Sequence, residues 1–181
     1  MEKKIFVFSD LHGSVQYLEE VLQKIEAEQP DKIVFLGDLN YNGARNPLPD
    51  GYLPKEVCRI LKERNLAVTF VKGNCDSEVD ETVMGKFVKN YSINRFGKRF
   101  LFTHGHKINA ENPPRGAKKY DYVLHGHTHV NRFYEGETTY INISSVSLPK
   151  ENSARSYAVI TEEGIFVKDL ESGSVLRSFK F

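Results

Sequence analysis

In its first half the chain alternates short apolar runs with stretches of helical spacing, and this alternation narrows the choice of fold more than any other feature. IFVF (Ile5 to Phe8), KIVFL (Lys32 to Leu36) and AVTFV (Ala67 to Val71) are short, continuous and rich in β-branched or aromatic residues, as buried strands are. Between the first two, Val15, Leu18, Leu22 and Ile25 recur at a spacing that places them on one helical face. Ser14 stands where an N-cap belongs, and Pro30 lies just beyond the helix end. PKEVCRILKERN (Pro54 to Asn65) predicts a second helix, with Pro54 suited to a first turn whose N–H groups have no intrahelical partner. Strand–helix–strand–helix–strand order implies an α/β protein with a parallel sheet and helices outside it.

The second half changes character. YSINRFGKRFLF predicts a hairpin about Gly97, and YDYVL a further short strand. RFYEGETTYINI, SYAVITEEGIFVKDL and DLESGSVLRSFKF predict strands turning at Gly136, Gly164 and Gly173. Strands joined by Gly-containing turns point to antiparallel pairing. No linker, repeat or low-complexity segment divides the chain, and ARNPLPDGYLP (Ala44 to Pro54) is short enough to be a loop. At 181 residues, 40% hydrophobic and 27% charged, residues 1–181 are expected to form one domain with its own core. The two cysteines, Cys58 and Cys75, do not make a disulfide framework. A net charge of +1 gives no large field of one sign, so strong nucleic-acid binding is not expected. The apolar run near the N-terminus, IFVF, is too short for a signal-peptide core or a membrane span. The expectation is a soluble, cytoplasmic, reduced protein with no membrane partner.

The strands end in a pattern. IFVFSDLH ends in Asp10 and His12, KIVFLGD in Asp38, VTFVKGN in Asn74, RFLFTHGH in His104 and His106, and YVLHGHTH in His127 and His129. One GD or GN is an ordinary strand-to-turn sequence. Five such endings, with all six histidines in or near them, exceed what turn chemistry needs. In open α/β sheets the carboxyl ends of the strands are where sites are built. Residues two apart in an extended segment face the same side, so Asp10 can act with His12 and His127 with His129. Gly37, Gly73 and Gly126 precede these positions and permit sharp turns and close backbone approach. Carboxylate, imidazole and amide oxygen together suit manganese, iron or zinc better than an all-oxygen calcium site. Asp10, His12, Asp38, Asn74, His104, His127 and His129 are too many for one tetrahedral ion and enough for two sharing a carboxylate.

The ordered motifs DLH, GD, GNCD, THGH and GHTH resemble those of the calcineurin-like metallophosphoesterases, more narrowly the small bacterial phosphodiesterases of the YfcE type. The resemblance spans nearly the whole chain and includes NGARNPLPDGY after Asp38, GNCDSEVD and SSVSLPK. It implies a four-layer α/β/β/α sandwich of two mixed sheets flanked by helices. It also implies a metal-dependent phosphoric diester hydrolase that cleaves small phosphodiesters with a hydroxide held between two divalent ions. By this resemblance Asp10, His12 and His129 hold one ion, Asn74, His104 and His127 hold the other, and Asp38 bridges them. Asp38, Asn74 and His104 are the implied catalytic residues, with Asn74 also orienting phosphate. Manganese is the leading ion by analogy, with zinc, iron, nickel or magnesium as alternatives.

One position departs from the larger family. Many of its members carry a His after GN that protonates the leaving oxygen, whereas here Cys75 follows Asn74. A free thiol, with a reference pKa of about 8.5, is a poor donor at neutral pH. Among the remaining residues, Arg45 and His106 are candidate substrate contacts, each weighed against a surface or loop-capping role. His125 is a pocket wall or support, Asp76 a fixer of the turn or a partner for a His, and Tyr41 and Asn42 candidate pocket lining. The competing reading is a non-catalytic, protein-binding scaffold on the same fold, which would not need all seven ligand positions filled. Homo-oligomerisation is compatible with the sequence.

Overall fold

The computed structural model describes residues 3–181. The first half folds as its pattern dictates. Strands β1 (Ile5–Phe8), β2 (Lys32–Phe35) and β3 (Val68–Phe70) lie parallel, connected by helices α1 (Val15–Glu28) and α2 (Pro54–Arg64). The Ser14 hydroxyl accepts from the Tyr17 N–H at 3.2 Å, so α1 is capped where the sequence indicates. Both helices stop at residues in the left-handed conformation, Gln29 and Asn65, at φ 49° and 48°. A third helix, α3 (Glu78–Met84), follows; Ser77 and Asp80 close it with reciprocal side-chain-to-backbone bonds.

The second sheet comprises β4 (Tyr91–Arg95), β5 (Lys98–Phe102), β6 (Tyr122–His125), β7 (Arg132–Tyr134) and β8 (Thr139–Asn142), in the spatial order β4-β5-β6-β8-β7. The hairpins at Gly97 and Gly136 form as expected. The centre of this sheet differs from the antiparallel expectation, since β5, β6 and β8 run parallel. Strands β9 (Ser156–Thr161), β10 (Gly164–Asp169) and β11 (Val175–Lys180) return to the first sheet, where β9 lies antiparallel to β1. That sheet then reads β11-β10-β9-β1-β2-β3. Gly164 opens β10 rather than sitting in the preceding turn.

Both sheets are mixed, and the period-2 alternation of the strands sorts side chains between two cores. Phe6, Phe8, Ile33, Phe35, Tyr157 and Val159 face the helical layer, where they meet Leu18, Val21 and Leu22 of α1 and Val57 and Leu61 of α2. Their strand neighbours Ile5, Val7, Val34, Ala158 and Ile160 face the second sheet, against Phe100, Phe102, Leu124 and Ile141. Each large side chain so buried contributes about 1.5–3 kcal/mol of transfer free energy, which is why both layers stay in register. The outer layer of the second sheet is thin: Leu101, Val123 and Tyr140 are covered by Ile108, Ala110 and Tyr120, from a segment whose regular element is a 3₁₀ turn at Ala117–Lys119. Among the described residues, no helix is long and apolar enough to cross a membrane.

This packing brings the carboxyl ends of β1, β2 and β3 in one sheet opposite those of β5 and β6 in the other. The five sequence endings singled out above therefore meet at one rim.

Candidate active site

The segments after the strands are not extended, contrary to the simplest reading of their i, i+2 spacing. Asp10, His12, Asp38, His127 and His129 adopt positive φ of 57°, 50°, 62°, 73° and 62°. For a residue with a Cβ this conformation costs roughly 1–2 kcal/mol. The surrounding backbone holds it in place: the Asp10 N–H donates to Gly37 O at 3.0 Å, His12 N–H to Asp38 O at 3.0 Å and Gly126 N–H to His104 O at 2.9 Å. Strain of this kind concentrates where side chains must be aimed. The glycines are required sterically. A Cβ on Gly126 would lie 2.0 Å from Ser9 Oγ and 2.3 Å from Asp10 Oδ2, and one on Gly73 would lie 2.1 Å from Asp38 Oδ1.

Three imidazoles are aimed by backbone carbonyls. Nδ1 of His12, His104 and His129 lies 2.8, 2.9 and 2.6 Å from the carbonyls of Tyr41, Leu36 and Leu148. Those bonds place the Nδ1 proton and leave each Nε2 lone pair pointing inward. Nε2 of His12 and Nε2 of His129 then face each other at 3.1 Å, with Asp10 Oδ1 at 3.7 and 3.4 Å from them. Asp10 is fully buried. Its Oδ2 accepts from Ser9 Oγ at 2.5 Å and from the His127 N–H at 3.0 Å, while its Oδ1 has no donor among the described residues. Burial alone would raise the Asp10 pKa, but contacts with His12 and His129 hold the carboxyl well below the usual range. An ionised oxygen and two lone pairs converge on one point, which is the donor set of a cation site.

The second cluster has the same logic. His104 Nε2 faces Asn74 Oδ1 at 3.0 Å and Asp38 Oδ2 at 3.3 Å. Asp38 Oδ2 is also 3.9 Å from His12 Nε2, so one carboxylate oxygen stands between the two clusters. Its other oxygen accepts from the Cys75 N–H at 2.8 Å. Burial pulls the His104 pKa down, yet Asp38 and Asp10 outweigh it and lift the imidazole to about 9. In the absence of a metal, a proton on Nε2 neutralises these acceptors. The His127 ring sits 5.1 Å from that of His104, and burial lowers its pKa to about 4, so the ring is neutral and its nitrogen free to ligate. The donor set could hold divalent cations. Asp10, His12 and His129 surround one point, Asn74 and His104 lie at the other with His127 beside them, and Asp38 lies between.

The other residues sort clearly. Asp76 fixes the turn: its carboxylate accepts from the N–H groups of Asp38, Leu39 and Gly73 at 2.9, 2.8 and 2.7 Å, and it orients no histidine. Asn42 turns away into its own loop, donating to the carbonyls of Asn46 and Pro47, whereas Tyr41 and Arg45 do line the cleft above Asp38. Cys75 also lines it, and burial, with Asp38 nearby, pushes its thiol up to about 12. His125 is buried with Nε2 unpartnered among the described residues, and His106 is exposed at the rim, its ring 5.4 Å from that of His104. The supports of the site leave little trace in the sequence. Ser145 and Ser147 donate to the Asp10 carbonyl at 2.6 and 2.9 Å, and Ser9 holds the Asp10 carboxylate. The SSVSLPK motif was their only signal; the carbonyl partners of the histidines left none.

The calcineurin-like phosphoesterase superfamily domain matches residues 4–164. Phosphodiesterase YfcE of Escherichia coli (strain K12) is 34% identical over 176 residues, covering 96% of this chain and 95% of that protein. The solved structure of that phosphoesterase aligns with a TM-score of 0.89 over 98% of both chains. The probable metallophosphoesterase YsnB of Bacillus subtilis (strain 168) is 27% identical over 167 residues, covering 88% of this chain and 84% of its own. Vps29 of Chaetomium thermophilum, at 15% identity and a TM-score of 0.65 over 99% and 97% of the two chains, shares the fold.

Proposed function

The chain belongs to the calcineurin-like phosphoesterase superfamily, and from that premise we propose that it is a phosphodiesterase that hydrolyses small phosphodiesters at a site for two divalent ions. Asp10, His12 and His129 would hold one ion, Asn74, His104 and His127 the other, and Asp38 both. The observation that carries this reading is the convergence of His12 Nε2 and His129 Nε2 at 3.1 Å beside the buried, donorless Asp10 Oδ1. A protein-binding scaffold would not need all seven ligand positions filled, as they are here.

When bound, two such ions acidify water and neutralise the charge on a phosphoryl group. The chain's own residues do the rest. The carbonyls of Tyr41, Leu36 and Leu148 fix the ring orientations, so the ligand set is built before metal arrives. Asp76 ties the Asp38 turn to the Gly73 turn and keeps the shared carboxylate and Asn74 in register. Arg45 stands over the cleft as a cation for a phosphate oxygen. Cys75 is a thiol whose pKa burial and Asp38 push upward, which makes it a poor proton donor for the leaving oxygen. The reaction therefore favours diesters whose leaving groups depart without protonation. Imidazole, carboxylate and amide oxygen suit manganese, iron or zinc, and manganese is our choice by analogy with the family. A panel of stripped protein with manganese, zinc, iron, nickel or magnesium, assayed on an activated diester and the matching monoester, tests the reading. It stands if diester hydrolysis needs added ion and exceeds monoester hydrolysis. It falls if no ion supports diester cleavage.

A further inference from the structure

The site opens on two clefts rather than one, and they meet at Asn74 and Asp76. The first, of about 650 Å³, is walled by Tyr41, Arg45 and Lys150. The second, of about 420 Å³, lies on the side of His106 and is walled by Lys89, Lys107 and Ile108. Each falls in the range of roughly 300–1,000 Å³ that accepts a drug-sized ligand, far more than a bare phosphoryl group needs. A diester has two arms, and the two clefts give each an exit.

The walls have one sign. Among the described residues, Arg45, Lys89, Lys107 and Lys150 have no carboxylate within ion-pairing distance, while Lys72, also in the wall of the second cleft, is paired with Glu81. The acids that line the clefts, Asp38 and Asp76, are 2% and 7% exposed and turned inward, one towards the histidines and one onto three backbone N–H groups. Cations left unpaired around a concave site, in a chain of net charge +1, focus a positive field where the arms leave. Tyr41 adds an aromatic wall, 52% exposed, on which a flat ring can stack.

We infer that the substrates are nucleotide-sized phosphodiesters that carry at least one further phosphate on an arm. This rests on the phosphodiesterase reading above and adds the chemistry of the arms. A neutral-armed diester would leave the four cations unused. A long polymer would need a continuous basic track, which a net charge of +1 does not call for.

The probes are the p-nitrophenyl ester of thymidine 5′-phosphate and the same ester carrying a 3′-phosphate, with bis-p-nitrophenyl phosphate beside them. All three release the same leaving group, so Cys75 affects them alike. The ratio of kcat/KM for the phosphorylated over the plain nucleotide ester should exceed one and shrink as salt is added. Lys150→Gln and the Lys89→Gln/Lys107→Gln double variant report on the two clefts. The ratio should fall about twofold to fivefold per lysine in the cleft that takes the phosphorylated arm. Hydrolysis of the bis-aryl ester with a ratio of one in the parent protein, or a ratio unmoved by both variants, overturns this inference and leaves the phosphodiesterase reading intact. Failure to hydrolyse any of the three with any divalent ion overturns both.

Discussion

Replacing Gly73 by Ala adds one methyl group at the point where two site turns touch. Its Cβ would lie 2.1 Å from Asp38 Oδ1 and 2.5 Å from the Asp38 backbone nitrogen. A side-chain rotation relieves only the first contact, because the second is to backbone. That backbone is pinned by Asp76, which accepts from both Asp38 N–H and Gly73 N–H. The turns must separate by about 1 Å, and overpacking of this kind typically costs about 1–3 kcal/mol. For a chain of this length that lowers the melting temperature by about 2–4 °C per kcal/mol. Misplacing a reacting group by about 1 Å costs on the order of a hundredfold in rate, and the shift moves both Asp38 and Asn74. The control is Gly136→Ala, where the nearest atom to the new Cβ is Thr138 O at 3.7 Å. We expect Gly73→Ala to melt several degrees lower, to bind manganese more weakly by calorimetry and to lose most diesterase activity, with Gly136→Ala near the parent in all three. Parent-like melting and metal affinity in Gly73→Ala would refute the steric argument.

Other outcomes follow from the same geometry. Asp38→Asn removes the negative charge between the two clusters; it should lose metal by elemental analysis and on the order of a thousandfold in rate, more than Asp10→Asn or His104→Asn. Stripped of metal, the chain should be most stable near pH 6.5. His104 sits at about 9, so its contribution is complete below 6.5 and lost as pH rises through 9. His125 and His127 sit at about 4, so theirs is complete above 6.5 and lost as pH falls towards 4. Saturating manganese should abolish the alkaline decline, because ligation needs neutral imidazole; melting curves in chelator and in manganese from pH 4 to 9 check both limbs, and a flat alkaline limb in chelator contradicts the His104 assignment. In a series of diesters with graded leaving groups, Cys75→His should flatten the dependence on leaving-group basicity, general acid help being worth about 10²–10⁴-fold; identical slopes would place the proton donor elsewhere.

The parallel half of the first sheet and the rim of candidate ligands were legible because they are local. Each strand of β1, β2 and β3 is a short apolar run, and each ends in its own polar punctuation. The return of β9, β10 and β11 to the edge of β1 was not legible, because it pairs Ile5 with Ile160 across most of the chain. The parallel centre of the second sheet was not legible. The connection from β5 to β6 carries no helical pattern beyond a 3₁₀ turn, so nothing in the sequence announced a crossover. Helix α3 is only seven residues long and was betrayed solely by Ser77 and Asp80. The left-handed backbone at Asp10, His12, Asp38, His127 and His129 was hidden because Asp and His, though enriched in that conformation, adopt it in only a small minority of their occurrences. The carbonyls that orient the histidines belong to Leu36, Tyr41 and Leu148, whose side chains say nothing of that task.

On the proposed reading, Asp38 stands between two divalent ions. A crystal grown with manganese and measured at a wavelength where manganese scatters anomalously tests it most directly. We expect two anomalous peaks about 3.5–4 Å apart, one beside Asp10, His12 and His129, the other beside Asn74, His104 and His127, with the Asp38 carboxylate touching both. A single peak, or peaks that Asp38 does not join, would contradict it.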